Sequence, residues 1–196
     1  TFYCEPALLL ESLPEGAHVL ACGHEIGSGT LHGAVLEDGS LPGWSLQMVE
    51  DDVAEGKALI ADLFPEQDRH SFAFPWGAAL SDDLDVSPAT RSVYPVVRLG
   101  LHGVNKAPID PQGVLCVQCA DYDACELVNI AKQALEPSTW VVFSFDGVGS
   151  GERSVDAYAH QDLLGFLATA PQFTVLPVIH AVDALVGQKA EKYRLV

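Results

Sequence analysis

Chemistry in this sequence would have to come from a small set of side chains. Cys116-x-x-Cys119, followed by Cys125, has the spacing of half a zinc ribbon or of a redox pair. The second Cys-x-x-Cys is missing and Cys116 falls inside an expected strand, so a metal site is not expected there. A Cys119–Cys125 disulfide bracing a loop is the expectation for an exported protein. Five cysteines are an odd number, so at least one is unpaired within the monomer, and Cys4 and Cys22 read as buried, inert thiols on neighbouring strands. His24 reads as a turn or helix-start residue. His32 is either a surface or cleft histidine or a residual base or metal ligand. Asp146, before Gly147 at a strand's end, is either a turn-forming Asp or a site residue. Arg98 is either the partner of a nearby acid or a group that orients a carboxylate or a sugar acetyl. Gly147, Gly149 and Gly151 lack the G-x-G-x-x-G spacing and a following Lys, so they read as a loop, not a phosphate cradle.

The elements that must position these groups are short. Apolar, β-rich runs recur at Thr1–Cys4, His18–Cys22, Ser71–Phe74, Tyr94–Leu99, Val114–Gln118, Trp140–Phe145 and Phe173–Val178, which predicts seven strands. Between them, apolar residues return at helical spacing over Leu46, Val49, Val53, Ala54, Leu59, Ile60 and Leu63, and again over Leu127, Ile130, Ala131 and Leu135. Residues 114–118 and 141–145 are almost continuously apolar, as strands covered on both faces are, so a mostly parallel α/β sheet or barrel is expected. In such folds functional groups gather at the carboxyl ends of strands, here Glu5-Pro6, Gly23, Pro75-Trp76-Gly77, Gly100, Asp121 and Asp146-Gly147.

The chain has 196 residues, 48% of them hydrophobic, enough for one domain over 1–196 with a sizeable core. Its 27 acidic residues against 10 basic ones give a formal charge of −17, which disfavours nucleic acid and anionic membrane surfaces as partners. A salt-adapted surface is one reading of that excess. No apolar run is long enough to span a bilayer and no basic-then-apolar leader is present, so a soluble protein is expected.

Several segments carry a resemblance when taken together. Gly23-His24-Glu25-Ile26-Gly27-Ser28, Ser71-Phe72-Ala73-Phe74-Pro75-Trp76-Gly77, the opening Thr1-Phe2-Tyr3, and Trp140 to Gly149 with its Asp146-Gly147-Val148-Gly149 resemble, in order, motifs of the polysaccharide deacetylase family, the NodB-homology domain. The resemblance covers essentially the whole chain. It implies an incomplete, irregular (β/α) barrel of the NodB-homology type, with about seven mostly parallel strands, and a weak lean to an exported or cell-envelope setting.

The family removes acetyl groups from N- or O-acetylated glycans with a divalent metal held by one Asp and two His. Aligned without gaps, the two histidine positions fall on Gly29 and Gly33, which offer no side-chain donor. The Asp motif of the family's first strand would precede Thr1, its late histidine falls on Asp146, and its Arg falls on Ala73. Phe74, Pro75 and Trp76 would form the cleft wall, with Trp76 suited to stacking on a pyranose. The expectation is a deacetylase-like protein without a bound metal and without conventional deacetylase activity, binding an N-acetylated glycan. A hydrolase rebuilt from His32, Asp146, Arg98 and Glu5, or completed by residues preceding Thr1, is the alternative, and a structural or interaction module a third. A barrel short of one strand exposes edges, which predicts closure by a partner subunit such as a second copy of the chain, or else aggregation of the isolated protein.

Overall fold

The apolar period from Leu46 to Leu63 becomes one continuous helix, Leu46–Leu63, in the computed structural model, which describes residues 1–33, 44–75, 80–81, 84–85 and 87–186. Ser45 caps it by accepting from the Met48 N–H at 3.3 Å, and Val49, Asp52, Val53, Gly56 and Ile60 form its buried stripe.

The chain divides into two units: Thr1–Gly100 with Asp110–Val114 and Pro177–Ile179, and Leu101–Ile109 with Leu115–Leu176 and His180–Val196. In chain order the first holds β1 (Phe2–Cys4), α1 (Pro6–Leu9), α2 (Leu13–Ala21), β2 (Ile26–Ser28), α3 (Leu46–Leu63), β3 (Phe72–Ala73), the antiparallel pair β4 (Leu80–Ser81) and β5 (Leu84–Asp85), α4 (Pro88–Arg91) and the start of β6 (Val97–His102). The second holds β7 (Asn105–Lys106), most of β8 (Val114–Gln118), α5 (Ala124–Ala131), β9 (Thr139–Trp140), β10 (Phe143–Ser144), β11 (Gly147–Val148), β12 (Ser154–Val155), α6 (Ala157–Thr169) and most of α7 (Val178–Val186).

Among the described residues six strands join one hydrogen-bonded order, β1-β2-β3-β6-β8-β10. The pairs β1–β2, β2–β3, β3–β6 and β8–β10 are all parallel, and each is linked by a connection that contains a helix. The protein is a mixed α/β fold with a mostly parallel six-stranded sheet, compatible with an incomplete β/α barrel.

In the first unit, Val49 and Val53 of α3 pack with Phe72, Phe74, Tyr94 and Val97, while Ile60 and Phe64 close on Leu9 and Ile26. In the second, Leu127 and Ala131 of α5 meet Ala159 and Leu163 of α6 beside Val117 and Val141. Asp123 and Glu126 start α5 with a reciprocal capping box.

Three expected strands come out differently. His18–Cys22 is the end of helix α2, begun by Pro14 in its first turn. Gly23, at φ +82°, terminates that helix: its N–H bonds the Leu20 carbonyl at 2.8 Å and the His24 N–H bonds that of Val19 at 3.2 Å, the double bond of a Schellman motif. Phe173–Val178 forms only an isolated bridge at Thr174 before α7 begins. Trp140–Phe145 divides, since Trp140 pairs antiparallel with Asn105 while Phe143 pairs parallel with Val117. No helix among the described residues is long and apolar enough to cross a membrane.

Candidate site at the strand ends

The first unit brings the carboxyl ends of β1 and β2 side by side. Cys4 and Ser28 are register partners, and one residue on, the Gly29 N–H donates to the Cys4 carbonyl at 2.7 Å. Glu5 sits at the start of α1 ahead of Pro6, and its carboxylate lies against the α-carbon of Gly33, which adopts φ +56°. A β-carbon on Gly33 would run into that carboxylate, and one on Gly29 would stand 3.2 Å from the Cys4 carbonyl oxygen. The two positions on which the resemblance places histidines are thus glycines without a side-chain donor, crowded by the Glu5 carboxylate and the Cys4 carbonyl. This donor set does not fit a metal held in the family's way. Among the described residues no cluster of three or more His, Cys, Asp or Glu side chains could hold a metal ion.

The turn between these glycines is held from below by Asp52, a buried carboxylate on α3. Its Oδ1 accepts from the Leu31 N–H at 2.7 Å and its Oδ2 from the His32 N–H at 3.3 Å. Burial pushes the Asp52 carboxyl above its ordinary value, against the opposing pull of these two N–H groups and of the His32 charge. The His32 side chain itself is exposed. Among the expected site residues, Glu5 and His32 therefore meet around one turn. Asp52 was not legible as a site residue. The available signal was an Asp standing at helical spacing within the Val49–Val53–Gly56–Ile60 stripe, where an apolar residue is expected.

Arg98 follows a different course. It is half-buried, in register with Ala73, and its guanidinium lies 5.1 Å from the centre of the Tyr3 ring. The Tyr3 hydroxyl is 3.0 Å from Ser71 Oγ, and Ser71 donates both its N–H, at 2.8 Å, and its hydroxyl, at 2.6 Å, to Glu25 Oε1. Glu25 Oε2 accepts from Thr1 Oγ1 at 2.7 Å and from the Ile179 N–H at 3.2 Å. Glu25, buried within the His24-Glu25-Ile26 segment, so serves as a four-donor hub joining β1, β3 and the first turn of α7.

Phe74 is buried in the core, its ring edge-on to Phe72 at 4.8 Å between centroids, with no exposed face to offer a sugar. Pro75 is half-buried, and Trp76 lies outside the described residues. Asp146, in the second unit, is exposed after β10, and its Oδ2 pairs with Arg153 Nε at 3.1 Å across the β11–β12 turn.

None of the five cysteines is disulfide-bonded, so the expected Cys119–Cys125 bridge is not formed. Cys119 is buried at the end of β8 with its thiol donating to the Val117 carbonyl, whereas Cys125 is exposed on α5. Cys22 is likewise exposed, because the segment expected as an inner strand is the end of a surface helix, and Cys4 is half-buried. Comparison with protein-family models, with curated proteins and with solved structures gives no match to this chain.

Proposed function

We propose that this chain is a deacetylase-like protein of the NodB-homology type that binds an N-acetylated glycan at the ends of β1 and β2 and does not hydrolyse it by the family's metal-dependent route. The observation that carries this reading is that Gly29 and Gly33 offer no side-chain donor and are crowded by the Cys4 carbonyl and the Glu5 carboxylate. Acetamide hydrolysis of that kind needs an activated water and a proton donor. Asp146, on the late-histidine position by resemblance, is instead engaged by Arg153. What supports glycan binding is the turn that gathers Glu5 and the exposed His32, groups able to accept from and donate to sugar hydroxyls. β1 ends the strand order, which supports pairing of that edge with a second copy; light scattering that gives only monomer would remove this part of the reading.

A second reading, a hydrolase with a rebuilt site, is favoured by one observation, the placement of exposed His32 directly against the buried Asp52 carboxylate through its backbone N–H. The two separate in one experiment. The protein is titrated calorimetrically with an N-acetylated chito-oligosaccharide, and free acetate is measured in parallel with and without added Zn²⁺. Heat of binding without acetate release is expected. Acetate release above the blank would replace the first reading with the second, and absence of both would end the glycan assignment.

A further inference from the structure

The feature that the proposed function leaves unused is the cost of Asp52. A carboxylate in the apolar stripe of α3 loses hydration, and a chain that needed only to fill that stripe would do better with a residue such as Val or Ala. What the carboxylate does instead is specific. It reaches from α3 to two successive N–H groups, Leu31 and His32, in the turn that follows β2. Besides these, that turn bonds the α1 side through the Ala7 N–H to the Leu31 carbonyl at 3.4 Å, a long contact. Gly56, one turn further along α3, faces the same turn: a β-carbon there would stand 3.5 Å from the Leu31 nitrogen, an ordinary contact distance.

We propose that Asp52 is a positioning residue that holds the His32 turn in its binding arrangement while ionised and slackens it on taking up a proton, so that the strand-end site weakens as the solution is made acidic. The ligand part rests on the glycan reading above; the clamp itself does not. An ionised carboxylate offers acceptors on both oxygens, whereas the protonated acid turns one of them into a hydroxyl that presents a donor, so the pair of bonds cannot both persist at full strength. The titratable groups that face Asp52 are His32 from the turn, Glu55 from its own helix and the Tyr94 hydroxyl, which follows α4 and is kept neutral by burial. His32⁺ supports the ionised form and Glu55 opposes it, while burial sets the balance towards the acid.

The experiment follows the Leu31 and His32 amide resonances of the full chain by nuclear magnetic resonance from neutral to acidic pH. Both are expected to move together on one curve, and Leu31 hydrogen exchange, corrected for its intrinsic pH dependence, is expected to quicken about tenfold across it, the order expected on losing a charge-assisted bond. In Asp52→Asn, whose amide keeps one acceptor but does not titrate, both resonances should lose that curve and the corrected Leu31 exchange should be flat across the range. Because the wild-type titration needs no variant, it stands even if Asp52→Asn folds poorly. Amides that do not titrate, or that titrate identically in Asp52→Asn, would overturn the clamp. Titration of an N-acetylated chito-oligosaccharide over the same pH range then reads the ligand part: affinity falling on the amide curve supports it, and affinity flat across the curve overturns it. Lack of binding at every pH would defeat the glycan reading and the ligand part with it, and leave the amide result to decide the clamp.

Discussion

Arg98 lies over the ring of Tyr3, its guanidinium carbon 5.1 Å from the ring centroid, although β2 and β3 separate their strands in the hydrogen-bonded order. That reach depends on small residues between them. Gly27 is the register partner of Tyr3, and a β-carbon there would stand 2.6 Å from two carbons of the Tyr3 ring; Ala73 is the register partner of Arg98.

Gly27→Ala is therefore expected to destabilise the fold by about 1–3 kcal/mol, the usual cost of forcing a methyl group into filled space. Urea denaturation measures it. In a Tyr3→Leu background, where the planar ring is gone, most of that cost should vanish. A loss that is the same in both backgrounds would mean that the Tyr3 ring is not what Gly27 makes room for.

Glu25 sets a second expectation. Truncating it to Ala strands the buried N–H groups of Ser71 and Ile179, each worth about 1–3 kcal/mol when left unmade, while the Ser71 hydroxyl keeps the Tyr3 hydroxyl as a partner. Glu25→Ala should lose about 3 kcal/mol or more, and Glu25→Gln, which keeps one acceptor oxygen, distinctly less. Equal losses in the two variants would assign the effect to side-chain volume instead of to the acceptors.

How far the sequence could be read depended on what each signal measures. Periodicity pointed to α3, because Leu46, Val49, Val53, Ile60 and Leu63 repeat at helical spacing over about five turns, and the continuous apolar run of Val114–Gln118 marked β8. The same apolar content misled at His18–Cys22, where Pro14 and Gly23 bracket a helix and outweigh a five-residue β-rich run, and at Phe173–Val178, where Thr1 and Glu25, far away in sequence, supply the acceptors that begin α7. At the site, Glu5 and His32 were legible as polar groups near strand ends. Asp52 was not, since its role depends on a turn 20 residues earlier in the chain.

Asp52 also predicts a pH dependence of global stability opposite in direction to that of the turn. Burial raises its carboxyl pKa in the folded state, so the native chain holds this proton where the unfolded chain has released it. The stability it contributes is fully present below the unfolded value and is lost as pH rises through the folded one. Asp52→Asn removes that loss, so the stability of the variant minus that of wild type should grow from acidic to neutral pH in chemical denaturation. A difference that shrinks over this window would mean that the two N–H bonds outweigh burial.

Thiol reactivity follows burial. The Cys119 thiol, pushed up to about 12 by burial, remains protonated in mildly alkaline solution and its sulfur is enclosed. Alkylation of the native protein followed by mass spectrometry should mark Cys22 and Cys125 first, with Cys116 and Cys119 modified only on unfolding. Early labelling of Cys119 would contradict the packing at the end of β8.

The sharpest check on the proposed deacetylase-like reading is to place histidines at the two positions where the resemblance would have them. In Gly29→His/Gly33→His the new side chains crowd the Cys4 carbonyl and push aside the Glu5 carboxylate, and position 33 must hold a non-glycine residue at φ +56°, a strained conformation costing about 1 kcal/mol or more. The double variant should be destabilised and should not take up stoichiometric Zn²⁺ by elemental mass spectrometry. If Glu5 is the main obstacle at position 33, adding Glu5→Ala should recover part of the stability, since it clears the carboxylate while leaving the backbone strain. Stoichiometric zinc in the double variant, with acetate released from an N-acetylated glycan, would mean that these strand ends still hold the family's metal geometry and that two substitutions alone separate this chain from hydrolysis.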